Sequence, residues 1–192
     1  ENIGVKHLMN IKTVAARREN MLWFKVPRRI YFKLGSLRPA LEEYKDKKRA
    51  VIVTDANMVS CGYVAKVEKV LADLGTDCRV FSEVQPDPTM ATARKCLDMV
   101  NSFKPDMFIA LGGGSPMDAA KIVWLMYECP ETKLEDIALR FMDIRKRVNS
   151  FPELGKKAVM VCIPTTSGTG SEVTPFAVIT DEKTGIKYPV TD

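Results

Sequence analysis

Met107-Phe-Ile-Ala-Leu-Gly-Gly-Gly-Ser-Pro-Met-Asp-Ala-Ala-Lys121 is the stretch that decides how the rest of the chain is read. The run from Met107 to Leu111 is apolar and short enough for a fully buried strand. Gly112, Gly113 and Gly114 follow, and Ser115, Pro116 and Asp118 then open an apolar helix. Proline suits the first helical position and serine the position before it, and Ser115 and Asp118 have capping-box spacing. Strand, glycine turn and helix N-terminus in succession make an anion site. Glycines let the backbone come close to a ligand, and the first helical amides have no partner inside the helix. A phosphate or pyrophosphate fits there; a tight turn with a purely structural cap would carry the same residues. The pattern is neither the G-x-G-x-x-G of dinucleotide folds nor a P-loop, whose Lys and Ser/Thr are out of place here.

Working outward, the hydrophobic pattern alternates between two periods. Residues 29–33 read as a short strand, and residues 36–47 as a helix after Gly35. Residues 49–55 read as a strand ending in an acid, Asp55. Residues 62–74 are helical, with Val64, Val67, Val70, Leu71 and Leu74 on one face and Gly75 as the stop. Cys78-Arg-Val-Phe81 is a further strand. Pro86 and Pro88 bracket Asp87 in a loop, and Thr89 caps a helix running to about residue 102. After Pro130 comes a polar helical stretch, residues 134–147. Residues 157–163 form a buried strand, ending in Pro164-Thr-Thr-Ser-Gly-Thr-Gly-Ser-Glu-Val-Thr174. Two short strands, residues 176–180 and 186–190, flank the turn Asp181-Glu-Lys-Thr-Gly185 as a hairpin. Strands alternating with helices predict an α/β fold: a Rossmann-like, mostly parallel sheet with helices on both faces, plus the terminal hairpin.

Composition narrows the function. No apolar run approaches the length of a membrane span, and no signal peptide opens the sequence. The five cysteines are widely spaced and form no C-x-x-C pair, which points to inert thiols in a reducing, cytoplasmic setting. Residues 1–49 carry thirteen Lys/Arg against five acids, a net of +8 in a chain whose total is +5. These cations are scattered and accompany no nucleic-acid motif, so solvated faces and partner contacts explain them. The only histidine, His7, stands in the basic first segment, far in sequence from any glycine loop. That leaves no Ser-His-Asp or Cys-His set and no metal constellation, hence no catalytic or metal-ligating residue to name. The opening Glu suggests a piece of a longer chain, with residues 1–26 as an arm or linker and residues 27–192 as the α/β lobe.

In an open parallel sheet, ligands bind beyond the carboxyl ends of the strands. Asp55, Asp87, the turn from Gly112 to Asp118 and the loop from Thr165 to Ser171 all follow strands. Asp55 suits the two hydroxyls of an adenosine ribose and would repel a 2′-phosphate; a helix cap or turn acid is the other reading. The acid precedes the glycines, the reverse of the usual dinucleotide order. The Thr165–Ser171 loop offers hydroxyls and amides to phosphate, ribose or a nicotinamide amide, or forms a plain polar turn. Lys187 reaches a cofactor oxygen or faces solvent.

The glycine segment, Val53-Thr-Asp55 and the Pro164-to-Thr174 stretch resemble the iron-containing (group III) alcohol dehydrogenases. Asn20-Met-Leu-Trp23, Phe103-Lys-Pro-Asp106, Ala138-Leu-Arg-Phe-Met-Asp-Ile-Arg-Lys146 and Pro175-Phe-Ala-Val-Ile-Thr180 look like the alcohol dehydrogenase half of bifunctional aldehyde–alcohol dehydrogenases. The resemblance implies an NAD-binding lobe of an enzyme that takes acetyl-CoA through acetaldehyde to ethanol with NADH. It implies cofactor contacts at Asp55, Asp87, Gly114, Ser115, Pro116, Met117, Asp118, Thr165, Thr166, Val178 and Lys187, to which the glycine turn and the hydroxyl loop add Gly112, Gly113 and Thr169 as candidates. It implies iron bound by one Asp and three His outside this chain, in a stretch just beyond it and a helical metal-binding domain absent here. It also implies an N-terminal aldehyde dehydrogenase part joined through residues 1–24, a small alcohol or aldehyde substrate, and homo-oligomeric filaments. The excised piece would then bind or assemble without turning over. Neither nucleic acid nor membrane is an expected partner.

Overall fold

The computed structural model describes residues 27–132, 152–182 and 184–191. The elements run α1 Leu37–Glu42, β1 Arg49–Val53, α2 Ala56–Ser60, α3 Tyr63–Asp73, β2 Asp77–Phe81, α4 Met90–Phe103, β3 Met107–Gly112, α5 Gly114–Glu128, β4 Val159–Pro164, β5 Phe176–Asp181 and β6 Ile186–Thr191. The expected arm, His7 and the polar stretch at residues 134–147 lie outside the described residues.

β3 carries the reading that organised the sequence. All six of its residues are buried, as a strand covered on both faces requires. It pairs in parallel with β1, Ala50 opposite Met107, and with β4, Met107 opposite Val159. β2 pairs with the other side of β1, giving a four-stranded parallel sheet in the order β2-β1-β3-β4.

Side chains alternate across this sheet and feed two cores. Ala50, Ile52, Met107, Ile109 and Leu111 pack with Leu41 of α1 and Val64, Val67 and Leu71 of α3. Val51, Val53, Phe108 and Ala110 face the other way, onto Ala93, Cys96 and Val100 of α4 and Met117, Ala120 and Val123 of α5. The three- and four-residue spacing of those helical positions is what a single buried stripe needs. β5 and β6 form a separate antiparallel pair. Its Ala177, Ile179 and Val190 join the α4–α5 core, so the hairpin rests on that layer. The expected parallel sheet, helices on both faces and hairpin are all present.

Three local expectations differ. Residues 29–33 form no strand, and Ile30, Phe32 and Leu34 are exposed. An apolar alternating run becomes a strand only where another strand offers its hydrogen bonds, and none of the described strands pairs with it. The helix expected over 36–47 is the shorter α1, whose one buried residue is Leu41; little apolar surface holds a longer one in place. Ser115 does not cap α5. The helix begins at Gly114 with Gly113 as its N-cap and no side-chain cap. Thr89 does cap α4, accepting from the Thr92 amide at 3.2 Å.

The five cysteines are free and differ sharply in access. Cys61 is exposed, whereas burial among the α4 packing pushes the Cys96 thiol up to about 12. The thiolate is the reactive form. At pH 8, iodoacetamide should therefore modify Cys61 at least about a hundredfold faster than Cys96. Peptide mapping over a time course checks this, and comparable rates at the two positions would contradict the burial of Cys96.

Candidate functional site

The strand order creates the site. From β1 the chain goes to β2 on one side, while β3 lies on the other side of β1. The loops after β1 and β3 diverge there, which opens a crevice at their carboxyl ends. Thr54 fixes its floor. This fully buried residue donates its hydroxyl to the Leu111 carbonyl at 2.8 Å. Its backbone also joins the Phe81 carbonyl and the Val84 amide, so the ends of three neighbouring strands are tied at one residue.

Asp55 is next in the chain, and of the two readings the sequence offered the structure shows the helix cap. Its Oδ1 caps α2, accepting from the amides of Asn57 at 2.9 Å and Met58 at 3.1 Å. Its Oδ2 faces the glycine turn: a methyl group on Gly112 would sit 3.4 Å from it. Gly112 has φ +142°, and the same methyl would lie 2.7 Å from the Pro116 ring. Only glycine fits there. A methyl on Gly113 would stand 2.9 Å from Thr166 Oγ1, and one on Gly114 3.8 Å from the Thr169 side chain. The Thr165 amide donates to the Gly112 carbonyl at 2.9 Å. Asp55, the three glycines, Thr165, Thr166 and Thr169, distant in sequence, are thus brought to one place. Because α5 lacks a side-chain cap, its first amides remain available to an anion.

The other expected contacts are placed differently. Met117 is fully buried and Pro116 is buried against Gly112, so both shape the turn from beneath. Ser115 is half-buried in the first turn of α5. Asp118 has both carboxylate oxygens engaged: Oδ1 accepts from Ser171 Oγ at 2.7 Å and Oδ2 from the Val178 amide at 3.0 Å. Val178 therefore meets Asp118 through its backbone, while its side chain is exposed. Asp87, with φ +57°, pairs with Lys187 at 2.6 Å. Both members of that pair are largely exposed, and such an ion pair adds little stability. It leaves one carboxylate oxygen and two ammonium hydrogens for other partners.

Lys121 has a larger part than the sequence suggested. Its ammonium donates to the carbonyls of Ser171 at 2.5 Å, Phe176 at 2.7 Å and Thr174 at 3.0 Å, and lies 3.2 Å from Ser171 Oγ. Burial is the main influence and pulls its pKa below the usual lysine value, while Asp118, Cys162 and Glu172 act in the opposite sense. The three-residue spacing of Asp118 and Lys121 puts both on one helix face, the one signal that could have paired them in advance.

A cavity of about 1100 Å³ lies apart from this crevice, lined by Ile30, Phe32, Trp124, Ile163 and Phe176 among others. Neither Asp55, the three glycines nor Thr165, Thr166 and Thr169 line it, so it is not where the converging loops would take a ligand. Among the described residues no three His, Cys, Asp or Glu side chains gather as a metal site. No helix among them is long and apolar enough to cross a membrane.

Comparison with known proteins agrees with this architecture. The chain is 59% identical over its whole length to the bifunctional aldehyde-alcohol dehydrogenase AdhE of Escherichia coli (strain K12), of which it covers 22%. It is 54% identical, again over its whole length, to the aldehyde-alcohol dehydrogenase of Clostridium acetobutylicum, covering 22% of that protein. The chain thus spans about a fifth of the length of these curated relatives. The solved structure of the iron-containing alcohol dehydrogenase from Thermococcus thioreducens superimposes with a TM-score of 0.80 at 29% identity, over 88% of this chain and 43% of that one. The model of the family described as "Iron-containing alcohol dehydrogenase" matches residues 27–192, and with the parallel sheet, the glycine turn and the loops that converge on it, the chain belongs to that family.

Proposed function

We propose that residues 27–192 are the NAD-binding lobe of an alcohol dehydrogenase that reduces acetaldehyde to ethanol, within a bifunctional enzyme that makes the acetaldehyde from acetyl-CoA. Residues 1–26 are the linker to the aldehyde dehydrogenase part. The names of the full-length relatives support the paired activities. The observation that carries the lobe's role is the convergence of Asp55 Oδ2, the Gly112–Gly114 turn, the Thr165 amide, Thr166 Oγ1 and the Thr169 side chain on one crevice.

The residues fit a dinucleotide. Side chains at Gly112 or Gly113 would fill the cradle, so the absence of Cβ atoms keeps room for a pyrophosphate beside the uncapped start of α5. Thr165, Thr166 and Thr169 supply hydrogen bonds around it. Asp55 Oδ2 accepts from ribose hydroxyls and disfavours a 2′-phosphate by charge. Asp87 and Lys187 give polar contacts at the rim, and Val178 an apolar one. When bound, NADH supplies the hydride that reduces the carbonyl. The described residues do not form an iron site. The metal ligands belong to a helical domain outside this chain, and the fragment alone lacks turnover. The parent assembles as a homo-oligomeric filament in the cytoplasm, in keeping with five free thiols.

Titrating NADH and then NADPH into the chain, followed by nucleotide fluorescence, tests this. Saturable NADH binding, with NADPH weaker by at least about tenfold, is expected from the charge at Asp55. Acetaldehyde and ferrous iron added with NADH should give no oxidation. No saturable binding of either nucleotide, or sustained turnover by this chain, would overturn the respective half of the reading.

A further inference from the structure

We propose that Asp118 and Lys121 are positioning residues: as a pair on one face of α5 they clasp the Ser171–Val178 segment and thereby hold the Thr166 and Thr169 side chains against the glycine turn. The inference rests on the nucleotide reading only for its last consequence, the loss of cofactor affinity.

The geometry is closed. An ammonium has three hydrogens, and Lys121 places them on the carbonyls of Ser171, Thr174 and Phe176. Ser171 Oγ donates to Asp118 Oδ1 and lies within reach of the same ammonium. Asp118 Oδ2 accepts from the Val178 amide. Every polar side-chain atom of Asp118 and Lys121 is spent on one eight-residue segment, and Ser171, at 6% exposure, is the buried link between them. Glu172 belongs to the same segment: its Oε2 is buried without a hydrogen-bond partner, and its field favours the Lys121 ammonium.

The consequence lies at the far end of the loop. The segment before Ser171 contains Gly168 and Gly170, both with positive φ, and its residues from Thr165 to Thr169 are exposed. It is anchored at its start by the Thr165 amide on the Gly112 carbonyl. Without the clasp, the other end keeps the short turn closed by the Val173 and Thr174 amides on the Gly170 carbonyl and, beyond it, the pairing of β5 with β6. A glycine-containing loop held more loosely at that end samples more conformations, and the Thr166–Gly113 and Thr169–Gly114 approaches are less firmly preset. An arrangement ordered before binding spares the ligand that cost. Asp118 therefore acts on a bound nucleotide through the loop it holds.

Native-state amide exchange on the 192-residue chain, read beside NADH titration, decides the matter. Lys121→Met keeps the side-chain length and removes the three donors. Ser171→Ala removes only the link and guards against a Lys121 variant that does not fold. Either should speed exchange at Val173, Thr174 and Val178 by about tenfold or more, leave Phe108 to Leu111 in β3 unchanged, and raise the NADH dissociation constant by about tenfold. Unchanged exchange at those three amides in both variants would overturn the clasp. So would a uniform rise across the chain, which marks general destabilisation. Local loosening with unaltered NADH affinity would overturn the positioning role. If the unsubstituted chain binds no NADH, the nucleotide reading fails on its own, while the exchange pattern still decides whether the clasp exists.

Discussion

Alanine at Gly112 should destabilise the protein by about 2–5 kcal/mol, the largest stability change expected from a single methyl group in this site. Two costs combine. The backbone has φ +142°, outside the range that residues with a Cβ adopt readily. The added carbon would also stand 2.7 Å from Cγ and 3.2 Å from Cβ of Pro116. The Pro116 ring is buried in the first turn of α5 and cannot rotate aside as a long side chain would. Relief requires moving the start of the helix, which is packed on the fully buried β3. Alanine at Gly113 is the control. Its φ is −88°, so no backbone strain arises, and its near neighbour is the Thr166 hydroxyl, which can turn. That variant should lose less than about 1.5 kcal/mol while weakening nucleotide binding. Urea midpoints at constant slope measure both. Equal stabilities for the two variants would contradict the described turn.

The same turn shows what the sequence discloses and what it withholds. A run of five apolar residues before three glycines identified β3 correctly, because burial on both faces leaves a continuous apolar signature. The Gly75 stop and the Asp181-to-Gly185 turn were legible for a similar reason: each is local chemistry. Ser115 misled because capping-box spacing is also local, yet the glycines before it let α5 begin earlier, at Gly114. Residues 29–33 misled because strand pairing is decided by a distant neighbour. The site was legible as a set of loops that follow strands. Its internal division was not. No sequence pattern says that Asp118 spends both oxygens on Ser171 and Val178, or that Lys121 gathers three carbonyls fifty or more positions away. Those are tertiary facts, fixed by how α5 lies against the hydroxyl loop and β5.

Asparagine at Asp55 should narrow the preference for NADH over NADPH by about tenfold to a hundredfold, equivalent to about 1.4–2.8 kcal/mol, while leaving the fold intact. The two oxygens of Asp55 face different neighbours, and this substitution separates them. Oδ1 accepts from the Asn57 and Met58 amides, and an asparagine carbonyl does the same with stability within about 0.5 kcal/mol. Oδ2 faces the glycine turn across the crevice, where the amide brings hydrogens and no charge. A 2′-phosphate beside it loses a repulsion and gains a donor; a ribose diol loses an acceptor. NADPH should therefore tighten as NADH weakens. Alanine removes the cap as well, so it should cost about 1 kcal/mol of stability on top of a similar change in preference. Parallel titrations of both nucleotides, with urea midpoints for each variant, distinguish the two oxygens. If the asparagine variant keeps the original affinity ratio, Asp55 is a helix cap alone.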